Sequence, residues 1–294
     1  MNFNEFSEKI VELLKQKVGD TCTVTVTEVL KNNNVRMTGI VIMEENESIS
    51  PTIYLEEPYR QYQDGASLEE TAEEIMAAYE KHACHANLDI GFFKDFSMVK
   101  DRIFHKVINY EKNKELLKEV PHFGWHDLAV VFYYAMEEPG LRKASILIHN
   151  SHLEMWGKAA EEIYSTARHN MKQKMPELLM PIQMLLEEMT GIKLEENVPN
   201  LYVLTNSEKM FGASAMLYSE KMGELADRLE TDLLILPSST HEVLLLAEPE
   251  DREYGFYRQM VNEVNMTQVD LEEILSFNLY RYDRQKAEVE EIAE

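Results

Sequence analysis

An α+β fold, built of antiparallel sheets with flanking helices, is what this amino-acid sequence predicts. Short runs of Leu, Ile and Val bounded by turn residues indicate strands, and longer stretches with apolar residues every three to four positions indicate helices. The strands come in neighbouring pairs joined by short polar turns, as in antiparallel hairpins. A strict alternation of strand and helix, typical of parallel sheets, is not present.

The N-terminal part predicts a helix followed by a meander of strands. Apolar side chains at Phe3, Phe6 and Ile10 follow helical spacing. Ser67 and Glu70 form a capping-box pattern, which marks the start of a later helix. The predicted elements are a helix over 3–18, strands over 21–30, 35–43 and 51–55, and helices over 68–83 and 98–120.

The rest of the chain alternates strand pairs and helices. Ser151 with Glu154 forms a second capping-box pattern, and Gly191 is placed to end a helix. The tail from Gln285 is acidic and is predicted to fray or to form a helix end. The predicted elements are strands over 127–136, 143–149, 201–205, 213–218, 233–236, 243–246 and 277–282, and helices over 151–172, 176–189, 220–229 and 252–264.

This order of elements predicts two lobes. They are an N-terminal α+β lobe over 1–172 and a C-terminal α+β lobe over 200–294, with a helical junction over 173–199. The element order of the first lobe is similar to that of secretion-chaperone-type α+β domains, apart from the extra helix over 98–120. A likeness of element order alone carries no function.

The composition of the chain limits which kinds of partner we expect. The chain has 53 acidic and 29 basic residues, a net charge of −24, and 45% apolar residues. A surface this negative repels phosphate backbones and anionic lipids, so we expect neither a nucleic-acid nor a membrane partner. The same charge is compatible with a basic protein partner, although a solvated acidic surface is its simplest reading.

The sequence also predicts a cytoplasmic location. Cys22 and Cys84 are too few for a disulfide framework, which favours a reducing compartment. The N-terminus lacks the basic and apolar regions of a signal peptide. The longest strongly apolar run, Leu128 to Met136, is far shorter than the roughly 20 residues of a membrane-spanning helix.

A polar hexapeptide between two buried strands is the first candidate site. Such a loop between strands commonly holds binding or catalytic groups. Ser239, His241 and Glu242 are the candidate catalytic residues, since a hydroxyl, an imidazole and a carboxylate are the parts of an acyl-transfer site. Neighbouring side chains splay apart in a tight turn, however, so a hydrogen-bonded turn or a binding loop fits the pattern better. The predicted binding loop consists of Pro237, Ser238, Ser239, His241 and Glu242.

Histidines near a predicted hairpin form a second candidate site. His122 and His126 precede one strand of the pair, and His149 and His152 follow the other, so all four are expected at one end. Imidazoles could hold zinc or another transition metal there, with Asp127 close by. Because the spacing matches no established metal signature, hydrogen-bonding histidines remain the alternative. No cofactor is otherwise predicted, since glycine-rich phosphate loops are absent.

Methionines are frequent, 17 in all, and several lie close together in the chain. Met171, Met175 and Met180 are among those that precede Gly191. Flexible thioethers suit an adaptable apolar binding surface, but they also fill ordinary cores. The sequence leaves both alternatives open.

Several segments together resemble a bacterial family of unknown function, domain-of-unknown-function family fifty-six eighty-eight. The resemblance covers nearly the whole chain and implies a single full-length unit in the cytoplasm of anaerobic Gram-positive bacteria. It implies no activity, cofactor or catalytic residue. The segments that carry it are Lys31-Asn32-Asn33, Ser50 to Leu55, Tyr62 with Gly65, Pro121-His122, Asp127 to Ala129, His149 to Leu153, Trp156-Gly157 and Leu236 to Glu242.

Three functional hypotheses follow from these observations. The first is a protein-interaction or adaptor protein that uses the surface around Pro237 to Glu242. The second is a metal-dependent enzyme, such as a hydrolase, with the four histidines as ligands and His241 or Glu242 as a base. The third is a purely structural turn that Ser239 and His241 hold together.

Overall fold

The fold is α+β with antiparallel sheets, as the sequence predicts. A computed structural model describes residues 1–44, 50–82, 90–136, 145–191, 200–237 and 239–292. Over these ranges the strands form three sheets, and every strand pair is antiparallel. Contacts divide the chain into two compact units, Met1–Asp95 with Met136–Ala144, and Phe96–Ala135 with Ser145–Glu294.

The first unit packs helices on one three-stranded sheet. Its core consists of apolar side chains from the helices and the sheet, among them Phe6, Ile10 and Ile40. The predicted capping box is present, since the Glu70 N–H donates to Ser67 Oγ at 3.2 Å and the Ser67 N–H donates to Glu70 Oε2 at 2.9 Å. The elements are α1 (Phe3–Val18), β1 (Cys22–Leu30), β2 (Arg36–Glu44), β3 (Thr52–Tyr54), α2 (Glu56–Gln63) and α3 (Leu68–His82).

The second unit holds the other two sheets. Strand β6 is buried along its whole length, because strands flank it and helix α7 covers it. Its elements are α4 (Phe96–Val99), β4 (Ile103–Asn109), α5 (Lys114–Leu117), β5 (His122–Trp125), β6 (Leu128–Ala135), β7 (Ser145–Leu147), α6 (Asn150–Trp156), α7 (Ala160–Lys174), β8 (Glu177–Pro181), α8 (Ile182–Thr190), β9 (Tyr202–Asn206), α9 (Glu220–Leu229), β10 (Leu233–Leu236), β11 (Val243–Ala247), α10 (Gly255–Thr267), β12 (Leu279–Asp283) and β13 (Glu288–Ile292).

Strand order places the candidate site at one end of the central strands of the larger sheet. The smaller sheet has the order β4-β6-β5, with β7 also paired to β6. The larger sheet has the order β13-β12-β10-β11-β9-β8. Leu236 of β10 lies opposite Leu244 of β11, so the hexapeptide connects two adjacent antiparallel strands.

Several predicted elements are wrong in type. The predicted helix over 98–120 contains strand β4, whose buried apolar residues pair with β6. A short buried apolar run does not distinguish a helix from a strand by its period, which explains this error. In the same way, the predicted strand over 213–218 is a 3₁₀ segment, Gly212–Leu217, and the predicted helix from 176 begins with strand β8. The tail, predicted to fray or to form a helix end, forms strand β13 against β12.

The compact units also have other boundaries than the predicted 1–172, 173–199 and 200–294. Strand β4 contacts helix α7 and the 3₁₀ segment Gly212–Leu217, so early and late parts of the chain share one unit. Residues of the predicted helical junction form an edge strand of the larger sheet.

In the part of the chain that the structure describes, no helix is long and apolar enough to cross a bilayer.

Candidate functional site

Three loops meet where the strands of the larger sheet end on one side. The first follows β9 over 207–211, the second joins β10 to β11 over 237–242, and the third precedes β12 over 270–276. They emerge together because β9, β10, β11 and β12 are antiparallel neighbours in register. The predicted binding loop is the second of the three.

His241 links the three loops through its imidazole. Its Nδ1 accepts the backbone N–H of Phe211 at 3.2 Å, and its Nε2 lies 3.2 Å from Glu273 Oε1. Since Nδ1 is an acceptor, the proton of the neutral ring is on Nε2, from where it donates to Glu273. The ring also stacks on Phe211, with centroids 5.4 Å apart and planes at 15°.

The backbone of the hexapeptide makes a second set of links to the same neighbours. The Thr240 N–H donates to Glu273 O at 2.9 Å, and the Ala213 N–H donates to Thr240 O at 3.2 Å. The Thr205 hydroxyl donates to His241 O at 2.7 Å. Ser239 and Thr240 are buried, so these bonds hold the turn in place rather than leaving its polar groups for solvent.

Ser239 is hydrogen bonded within its own turn. Its Oγ accepts the backbone N–H of His241 at 2.9 Å. The imidazole of His241 bonds to Phe211 and Glu273 instead. The three candidate catalytic residues are thus neighbours, but the serine-to-imidazole bond of an acyl-transfer site is not formed. Pro237 is buried, and Ser238 lies outside the described residues.

The pKa of the Glu242 carboxyl group is raised. Burial raises the pKa of its carboxyl group above the ordinary value, and the neighbouring Glu273 adds to this effect. His241 and the Ser239 hydroxyl act in the opposite direction. Such a half-buried carboxylate can accept a hydrogen bond or a cation from a ligand.

Gly212 is needed where the first loop approaches the second. A Cβ atom at this position would lie 2.0 Å from Thr205 Oγ1, 2.6 Å from His241 O and 2.7 Å from Asn206 N. The preceding Phe211 has a φ of 52°, in the left-handed region. Only a glycine lets the backbone come this close to the turn.

Asn206 shapes the first loop from its base. This buried side chain accepts the N–H groups of Glu208 at 3.1 Å and Met210 at 3.3 Å, and donates to Met210 O at 2.8 Å. These bonds bring Phe211 to His241. The sequence prediction missed Phe211, Gly212 and Glu273, and the Asn206-to-Gly212 spacing is the signal that could have indicated a tight loop.

Two of the predicted metal histidines, His122 and His126, each lie within hydrogen-bonding distance of a backbone carbonyl. His122 Nδ1 lies 3.1 Å from Val120 O, and His126 Nε2 lies 3.1 Å from Val289 O. His122 is at the start of β5, whereas His126 is in the turn that joins β5 to β6, so they occupy opposite ends of β5.

His149 and His152 form a helix cap. The His149 backbone N–H donates to His152 Nδ1 at 3.1 Å at the start of α6. Burial, and next the charge of His149, lowers the pKa of His152. The capping box predicted for Ser151 and Glu154 is wrong, because α6 begins at Asn150 and His149 is its N-cap. No three His, Cys, Asp or Glu side chains among the described residues are arranged to hold a metal ion.

Among their described residues, the three loops carry several carboxylates, the lysine Lys209 and the exposed Leu271. Leu271 is 63% exposed, and the Glu273 N–H donates to Asp270 O across the same turn at 2.8 Å. We call this surface the acidic loop face. Its members are Glu208, His241, Glu242, Asp270, Leu271 and Glu273.

Comparison with known proteins identifies a family but no activity. A family model described as "Family of unknown function (DUF5688)" matches residues 3–284, nearly the full length. The resemblance predicted from the sequence is thereby confirmed. Neither a curated protein nor a solved structure matches the chain.

Proposed function

The chain belongs to the DUF5688 family, a family of unknown function, and we propose that it is an adaptor that binds a basic protein. The binding surface is the acidic loop face. One observation carries this proposal: the ring of His241 bonds to Phe211 and Glu273 and so connects the three loops. These bonds hold several carboxylates and the exposed Leu271 in fixed positions. A preformed surface of this kind loses little entropy on binding.

Charge supports a basic partner. Glu208 and Asp270 are exposed, and Glu242 and Glu273 are partly exposed beside them. The net charge of −24 extends this negative potential over the protein and would accelerate association with a positive surface. An exposed leucine among carboxylates suits an apolar pocket surrounded by lysine or arginine side chains.

The internal bonding of the turn also favours binding over catalysis. The hydroxyl of Ser239 and both ring nitrogens of His241 are engaged by the protein's own groups. A base or nucleophile in that state would have to break these bonds before it reacted. We place the adaptor in the cytoplasm, in keeping with its two cysteines and its acidity.

Photo-cross-linking from a single position tests the proposal. A photoreactive phenylalanine analogue replaces Leu271 in one variant and Phe256 in a matched variant, since Phe256 is 68% exposed on α10 of the same unit. We expect cross-links to a basic protein from position 271 in native lysate. Equal cross-linking from both positions, or an acidic partner, would contradict the proposal.

Binding to the purified partner then tests the role of charge. Glu273→Gln keeps an acceptor for His241 but removes a negative charge, and Glu263→Gln removes one from α10 as a control. We expect Glu273→Gln to weaken binding about threefold to tenfold at low salt, with a smaller effect at high salt. Equal effects of the two substitutions would show that the acidic loop face is not the contact.

Native mass spectrometry of protein purified without chelator distinguishes the adaptor from the metal-dependent enzyme. An apo mass is expected for the adaptor. A stoichiometric transition metal that is lost in His149→Ala, while the variant remains folded, would favour the enzyme instead.

A further inference from the structure

A cavity in the second unit lies at the base of the first loop, since Asn206 lines it, but no member of the acidic loop face does. It is about 210 Å³ in volume and is lined by the end of α7, the start of β8 and the start of α9. Met171 and Met175 form its apolar wall, and they also belong to a buried cluster of the unit. Pockets for drug-sized ligands are larger, roughly 300–1,000 Å³, so this cavity suits a small molecule.

Tyr218 lines the cavity, and its hydroxyl is hydrogen bonded to the buried His105. The Tyr218 hydroxyl lies 2.6 Å from His105 Nε2, and the Arg168 guanidinium lies 5.7 Å from the Tyr218 ring centre. His105 is completely buried, and its Nδ1 has no hydrogen-bond partner among the described residues. Burial, and next the charge of Arg168, lowers the pKa of His105 to about 3, so the ring is neutral.

The unpartnered Nδ1 indicates which tautomer is present. A buried N–H without an acceptor is rarer than an acceptor without a donor, so the proton belongs on Nε2 of His105. That proton then donates to the Tyr218 oxygen. The Tyr218 oxygen then accepts from His105, its own proton remains available as a donor, and burial keeps the hydroxyl protonated by raising its pKa.

Charges of both signs line the same cavity. Glu177 is half-buried, and its Oε2 accepts the backbone N–H of Lys221 in the first turn of α9 at 3.1 Å. Burial raises the pKa of the Glu177 carboxyl group, although the backbone N–H of Lys221 and the charges of Lys221 and Lys172 act in the opposite direction. Lys172 and Lys221 supply positive side chains beside it, and they pair with the exposed Glu220 and Glu224.

We propose that this cavity binds a small zwitterion with an apolar side chain, such as an apolar α-amino acid. The ligand ammonium pairs with Glu177, and the carboxylate accepts hydrogen bonds from Tyr218 and Lys221. The side chain packs against Met171 and Met175, whose thioethers adapt to different shapes. No member of the acidic loop face lines this cavity, and the site does not depend on the proposed adaptor function.

Isothermal titration calorimetry of the full chain with defined probes tests the proposal. The probes are L-leucine and L-methionine, with 4-methylpentanoate as the analogue without the ammonium and 3-methylbutylamine as the analogue without the carboxylate. We expect both amino acids to bind with a Kd between about 10 µM and 10 mM, and both analogues to bind at least about tenfold more weakly.

Two conservative variants and a control locate the site. Glu177→Gln keeps an acceptor for the Lys221 N–H but removes the charge, and Tyr218→Phe removes the hydroxyl. Glu263→Gln is the control, because this exposed residue on α10 does not line the cavity. We expect Glu177→Gln to weaken leucine binding about tenfold and to leave 4-methylpentanoate unchanged.

Three results would each overturn the proposal. They are no binding of either amino acid up to about 20 mM, equal affinity for leucine and 4-methylpentanoate, and equal leucine affinity of Glu177→Gln and the wild-type chain. If a variant fails to fold, the comparison of probes on the wild-type chain still decides the question. Loss of cross-linking at Leu271 would leave this result unaffected, so the two proposals fail separately.

Discussion

Substitution of Gly212 by alanine tests how tightly the three loops are held together. The new Cβ would lie 2.0 Å from Thr205 Oγ1 and 2.6 Å from His241 O, and these two atoms are themselves hydrogen bonded at 2.7 Å. Overpacking of a buried site costs about 1–3 kcal/mol. Losing the Thr205 bond adds about 1 kcal/mol. We therefore expect Gly212→Ala to lower the free energy of unfolding by about 2–4 kcal/mol.

Urea unfolding monitored by circular dichroism measures this change, and hydrogen exchange assigns it to the second unit. Gly255→Ala is the matched control, since nothing lies within 4 Å of a Cβ atom at this first residue of α10. We expect the control to change stability by less than about 1 kcal/mol. A cost below about 1 kcal/mol for Gly212→Ala would refute the close approach of the loops.

Two further predictions concern the turn and the buried histidine. Ser239→Ala removes the acceptor of the His241 N–H and should lower the free energy of unfolding by about 1–2 kcal/mol in urea. Substitution of the exposed Ser207 by alanine is the control and should change it very little. Equal changes in the two variants would contradict a structural role for the Ser239 hydroxyl. For His105, the folded pKa of about 3 lies below the ordinary 6.5, so the unfolded chain binds more protons between these values. Stability should fall as the pH drops through this window, by up to about 1.4 kcal/mol per pH unit, and less steeply in His105→Phe. Parallel pH profiles of the two proteins would show that His105 does not titrate in this way.

The sequence predicted the class of fold because local patterns specify it. The hairpin turn at 31–34 and the capping box of Ser67 and Glu70 act over a few residues, and both are present. Strands β10 and β11 were predicted from their buried Leu and Ile residues, which pair as expected. Strand β4 was mistaken for a helix, since its type depends on pairing with β6 rather than on its own period.

The candidate site was predicted only in part. The hexapeptide was found because polar residues between two apolar runs stand out in the sequence. Its neighbours were not found, because Phe211 and Glu273 each lie about 30 residues away in the chain and touch His241 only after the sheet has formed. The histidines were grouped by position along the chain, but strand β5 places His122 and His126 at opposite ends.

The sequence by itself determined the α+β class, the family and the acidity of this protein, since composition and local periodicity act without knowledge of distant contacts. Tertiary structure decided which polar groups meet. The Tyr218 hydroxyl reaches His105 across 113 positions, and the Glu177 carboxylate reaches the first turn of α9 across 44. Such contacts are set by strand order and by the packing of helices on sheets, so no short stretch of sequence encodes them alone.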